Sequence, residues 1–67
     1  MKFIRAEDGF YYNYSKLILL HREKYGDHEV LTGLFVGFTT TIRLCVSYNI
    51  PYGIDTYLEE HDLEMNV

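Results

Sequence analysis

Lys16-Leu17-Ile18-Leu19-Leu20-His21-Arg22-Glu23-Lys24-Tyr25 is the stretch on which the fold turns. It contains good helix formers, Ser15 could cap a helix start, and Gly26 stands just past a helix end. On a helical wheel, however, Leu17, Ile18, Leu19 and Leu20 spread over more than half the circumference. No clear polar face is left. A strand explains the run better, buried on both faces in its first half and exposed in its second. The strand is the favoured reading of 16–25, with a helix as the alternative.

Turn signals divide the rest of the chain. Asp8-Gly9 is a hairpin signal. Gly26-Asp27 is the second break, and Gly37, running into Phe38-Thr39-Thr40, opens a third. Asn49-Ile50-Pro51-Tyr52-Gly53 is the last and strongest, because proline cannot lie inside a central strand. Residues 2–7 form a short candidate strand. Residues 10–14, Phe-Tyr-Tyr-Asn-Tyr, follow with high β propensity. Residues 28–37 read as a strand with Val30, Thr32, Leu34 and Val36 on one face and Leu31, Gly33 and Phe35 on the other. Gly33 inside that strand signals a bulge or a close approach. Residues 41–48 alternate most cleanly. Ile42, Leu44, Val46 and Tyr48 point one way, and Thr41, Arg43, Cys45 and Ser47 the other.

Residues 54–65 are expected to form one helix. Ile54, Leu58, His61 and Met65 are spaced i, i+4, i+7, i+11, and Tyr57 joins their face. A helix this short is marginal alone in water, so it must dock on the sheet. The expected fold is α+β: a small antiparallel β-meander of four to five strands over 1–48, then a C-terminal helix packed on one face. With 67 residues, the whole of 1–67 is read as a single domain.

That length and composition exclude several functions. Dinucleotide-binding folds and β/α barrels need more chain. One Cys rules out an internal disulfide framework and a four-Cys zinc site. The net charge of −4 disfavours simple nucleic-acid binding. No secretory signal is expected in Met1 to Asp8, which lacks an apolar stretch of about 7–15 residues. The longest apolar run, Leu17–Leu20, is far shorter than the roughly 20 residues a bilayer requires. The lone Cys45 fits a reducing compartment. A cytoplasmic protein without a membrane segment is the expectation.

The charge is unevenly placed. Residues 1–43 hold all six bases and five acids, a net of +1. Residues 44–67 hold Asp55, Glu59, Glu60, Asp62 and Glu64 with no base, a net of −5. Within one helix, Asp55/Glu59 and Glu60/Glu64 are like-charge i, i+4 pairs, each costing about 0.2–0.5 kcal/mol. Acids in a last helical turn also oppose the dipole, at about 0.3–1 kcal/mol each. One reading is a solvated face, partly neutralised by Lys16, Arg22 or Lys24. The other is a docking surface for a basic partner.

Seven tyrosines add contact area with a polar tip. Tyr11, Tyr12 and Tyr14 cannot all be buried on one face of a strand, so Tyr11 and Tyr14 join the acidic residues as candidate partner contacts. The plainer reading is half-buried packing. His21, His28 and His61 form no H-E-x-x-H pattern and have no C-x-x-C beside them, so no metal site is expected. Cys45 has no positioned base and reads as a small hydrophobe. The glycines form no phosphate-binding loop. With no paired carboxylates, triad or cofactor motif, the chain is not expected to be an enzyme, and no cofactor is expected.

A short strand, the Asp8-Gly9 turn, Tyr11-Tyr12-Asn13, three strands and a final acidic helix together resemble short uncharacterised reading frames of bacterial phages and other mobile elements. That resemblance spans most of the chain and implies a small non-enzymatic accessory protein. Two functions follow. The first is a homodimeric protein-binding module, the second copy covering a sheet face that one helix leaves open. The second is a phage-type inhibitor, anti-CRISPR-like, whose acidic helix occupies a basic nucleic-acid-binding surface of a host enzyme.

Overall fold

A computed structural model describes residues 2–49 and 52–64. Ile50, Pro51 and Met65, which figure in the expected break and helix, lie outside these residues. The fold is the expected small α+β one, with five antiparallel strands, here divided between two sheets, and one C-terminal helix packed against them. Strands β1 (Phe3–Arg5) and β2 (Tyr11–Asn13) pair in a two-stranded sheet. Their loop, Glu7-Asp8-Gly9, closes with Gly9 N–H donating to Ala6 O at 3.0 Å. Gly9 takes φ +90°, a conformation that a side chain disfavours.

A single 3₁₀ turn, Tyr14–Lys16, leads into β3 (Leu17–Tyr25). The decisive stretch is therefore a strand. It pairs with β4 (His28–Phe35), and β4 pairs with β5 (Ile42–Ser47). The β3–β4 connection is the two residues Gly26-Asp27. Gly26 has φ +40°, as the first central residue of a type II′ turn requires.

The first half of β3 is not buried on both faces. Leu20 is buried, but Ile18 is 53% and Leu19 44% exposed. The cause is a register shift between Leu17 and Leu19, which leaves Ile18 without a place in the ladder. Moreover, the helix covers only one face of the sheet. β4 keeps the expected alternation, with Glu29, Leu31, Gly33 and Phe35 buried and the residues between them half-buried. Gly33 is the close approach its position suggests. A Cβ there would lie 3.1–3.2 Å from Leu17, Leu44 and Phe35 side chains.

β5 departs from its sequence pattern. The register shifts between Leu31↔Cys45 and Thr32↔Arg43, so Leu44 is the extra residue of a bulge. Leu44 and Cys45 consequently both serve the core, and Ile42 packs against it too. Cys45 is not on the face opposite Leu44, and Val46 turns away to pair with Val30.

Helix α1 spans Tyr52–Glu60 rather than 54–65. It packs against β5 and β4 through Ile54 and Leu58, both buried, with half-buried Tyr57 beside them. Its end is a Schellman motif. Asp62 N–H donates to Glu59 O at 3.1 Å and Leu63 N–H to Leu58 O at 2.8 Å. Asp62 takes the left-handed conformation, φ 54°, that usually falls to glycine. Leu63 then turns inward and is buried with Leu58. The core also includes Ile4, Leu20, Leu31, Phe35 and Leu44. Burying one such side chain contributes about 1.5–3 kcal/mol.

Candidate functional site

The two sheets and the helix leave two apolar surfaces open. The first is the outer face of the three-stranded sheet. Leu20, Leu31 and Phe35 point to the core, so Leu19, Val30, Leu34 and Val46 point away from it. At one end of this face three rings lie in contact, Tyr25 stacked on His28 and Tyr48 tilted against it. Tyr25 and His28 have centroids 5.3 Å apart, and His28 and Tyr48 5.1 Å. Tyr48 is 71% exposed. His21 and Glu23 pair at 2.8 Å beside them.

The second surface is an aromatic groove of about 530 Å³ between β2 and the end of β4. Its walls carry Phe3, Phe10, Tyr11, Val36 and Phe38, all substantially exposed. Its floor is the stacked pair Tyr12 and Phe35, 5.2 Å apart. Lys16 lines it, and the Arg5 guanidinium lies 5.9 Å from the Tyr11 ring.

The acidic residues differ in their surroundings. Asp55 is claimed by Arg22, whose Nη1 donates to Oδ1 at 2.8 Å. The same guanidinium donates from Nε and Nη2 to both Glu29 oxygens, at 2.9 and 3.0 Å. This bidentate bond holds the Glu29 carboxyl below its usual range and raises Arg22 further. Asp62 lies beyond the helix and sits 3.8 Å from Lys2 Nζ. Glu64 is also past the helix, so its pairing with Glu60 on one helical face does not arise. Glu59 and Glu60 remain on the last turn, exposed.

Tyr11 and Tyr14 part company. Tyr11 is 65% exposed on the groove wall. Tyr14 is a tie between chain ends: its hydroxyl donates to Asp62 O at 3.3 Å, and Lys2 Nζ lies 4.3 Å from its ring centre. Tyr57 is another tie, donating from its hydroxyl to Arg5 O at 3.0 Å. Burial pushes its hydroxyl up to about 12. His61 stacks on Tyr57 at 4.1 Å and donates from Nδ1 to the Tyr57 carbonyl at 3.0 Å. Burial also pushes the Cys45 thiol up, which makes its thiolate scarcer at neutral pH.

Among the described residues no three His, Cys, Asp or Glu side chains converge as metal ligands would. No helix among them is long and apolar enough to cross a membrane. Phe3, Phe10, Val36 and Phe38 are the groove residues that the sequence reading passed over. The signal was there: Phe10 follows Gly9, and Val36 and Phe38 flank Gly37. Turn-flanking positions are ordinarily polar, so bulky apolar residues there are the local sign of an exposed apolar patch. No protein family, curated protein or solved structure matches this chain.

Proposed function

We propose that this chain is a non-enzymatic protein-binding module that works in the cytoplasm and pairs with a second copy of itself. The observation that carries this reading is the one-sided cover of the three-stranded sheet. α1 occupies the inner face, while Leu19, Val30, Leu34 and Val46 lie on the outer face with the Tyr25–His28–Tyr48 rings. A two-fold axis over that face would set the same apolar residues against each other. A 67-residue chain gains most from such cover, because its own core is small. Light scattering coupled to size exclusion, at two protein concentrations, tests it. A dimer of about 16 kDa, twice 8.0 kDa, is expected. A monomer at micromolar concentration would remove the self-association.

The second reading is a phage-type inhibitor that presents acidic residues to a basic host protein. It is favoured by the exposed Glu59 and Glu60, which make no ion pair among the described residues. Asp55 contributes less free charge to that surface, because Arg22 pairs with it at 2.8 Å. Charge reversal of Glu59 and Glu60 should abolish capture by such a partner.

A further inference from the structure

The aromatic groove differs from the outer sheet face in three respects that together identify a ligand. Its character is apolar and cationic at once. Lys16 lines it and Arg5 borders it, and neither pairs with a carboxylate among the described residues. The nearby acids are already engaged. Asp8 accepts from Phe10 N–H at 2.9 Å and from the Tyr12 hydroxyl at 2.8 Å, and Glu7 pairs with Arg43 at 2.6 Å. Among the described residues, two cations beside exposed rings therefore lack a negative partner.

The groove also runs along a strand edge. Phe10 O accepts from Ala6 N–H and Tyr14 N–H donates to Lys2 O, at 2.9 Å each, the two partners flanking β1. Antiparallel alternation then turns the main-chain N–H and C=O of Tyr11 away from β1. No strand of the described residues pairs with β2 on that side. The corresponding outward edge of β1 is covered, since Arg5 O accepts from Tyr57 and Glu7 N–H donates to Arg43 O at 3.2 Å. Among the described residues, the β2 edge at Tyr11 is the one that borders the groove without a strand partner.

We infer that the groove binds an extended peptide segment of a partner protein, with apolar side chains interspersed with carboxylates. The segment lies along β2 as an added strand, its main chain meeting that of Tyr11. Alternate apolar side chains settle on Phe3, Phe10, Val36 and Phe38. Its carboxylates meet Arg5 and Lys16. The strand edge favours a peptide over single-stranded nucleic acid. So does charge: a nucleic acid would bring one phosphate per nucleotide to a chain of net charge −4 with two cations at the groove. The inference rests on the protein-binding reading but not on self-association.

Selection from a random dodecapeptide phage library on the full chain tests it, followed by anisotropy titration of the enriched peptides. Enriched sequences should alternate apolar residues with Asp or Glu. The double variant Arg5→Glu/Lys16→Glu should weaken their binding at least about tenfold. Phe10→Ser, at a side chain 69% exposed, should weaken it while leaving the far-UV circular dichroism unchanged. Leu19→Asp on the outer sheet face should leave peptide binding intact. The inference is overturned by failure to enrich any sequence, by enrichment without acidic residues, or by binding indifferent to the groove variants. Binding of (dT)12 at the groove with no peptide binding would overturn it too. A dimer in light scattering together with any of these results would sink the groove ligand and leave the dimer standing.

Discussion

Arg22 on β3 holds Glu29 on β4 through two parallel hydrogen bonds, 2.9 and 3.0 Å long, and its third nitrogen reaches Asp55 of the helix. Glu29 is the charged side chain that the core admits, at 6% exposure. A lysine cannot reproduce this fork. Arg22→Lys should lower the melting temperature by about 5 °C, and Arg22→Met by more, because methionine leaves the buried carboxylate without its partner. Thermal melts followed by circular dichroism measure both. An unchanged melting temperature in Arg22→Met would mean that the fork does not secure the helix.

The same pair sets an acid limit. Arg22 lowers the Glu29 carboxyl below 4.5, Tyr25 and then His21 lower Glu23, and His28 lowers Asp27 below 3.8. Near those ordinary values the folded chain holds fewer protons than the unfolded one, so stability rises with pH there. This contribution is present above about pH 5 and is lost as the pH falls through the lowered folded values. The melting temperature should therefore drop between about pH 5 and 3. Glu29→Gln should make that drop shallower, and an unaltered slope would remove Glu29 from the account.

Gly53 should resist replacement against the usual helix trend. Gly to Ala inside a helix ordinarily stabilises by about 1 kcal/mol. Here a Cβ would overlap the Ser47 hydroxyl of β5. Gly53→Ala should instead destabilise by about 1–3 kcal/mol, as overpacking does. Urea unfolding measures the sign. Adding Ser47→Gly should recover part of the loss.

Asp62 offers the opposite case. It ends the helix at φ 54°, where glycine is unstrained. Its ion pair with Lys2 is long, 3.8 Å, and the Asp62 side chain is 96% exposed, so little is lost with it. Asp62→Gly should stabilise by about 0.5–1 kcal/mol. A lower unfolding midpoint would show that Lys2–Asp62 outweighs the backbone strain.

Leu19 lies at the heart of the proposed dimer. Leu19→Asp places a charge on the outer face without touching the core, since Leu19 is 44% exposed in the single chain. Light scattering should report a monomer, with the melting temperature of that monomer independent of concentration. A dimer that persists would move the interface elsewhere.

The sequence makes β4 readable because one of its faces is packed and its start follows a two-residue turn. It hides the two bulges. No residue type marks Ile18 or Leu44 as extra, yet each shifts the neighbouring side chains to different faces. The helix end is hidden for a related reason. The apolar spacing runs on through His61, and the residue that breaks the helix is an aspartate rather than a glycine. The Arg22 fork joins residues 7 and 33 positions away, a proximity that only the completed fold creates. Tyr11 could be named as a contact from local pattern, but the groove around it combines β1, β2 and the β4–β5 loop.

The tie from Tyr57 to Arg5 spans 52 residues, and that from Tyr14 to Asp62 spans 48. The pairing of β3 with β4 across Gly26-Asp27 is local in sequence, so that hairpin can close early in folding. β1 pairs just as locally with β2, but the outer edge of β1 has no local partner. That edge is met by Tyr57 of the helix and by Arg43 of β5, both far along the chain. Folding of this chain is therefore local pairing followed by long-range docking, the step that topology makes slow.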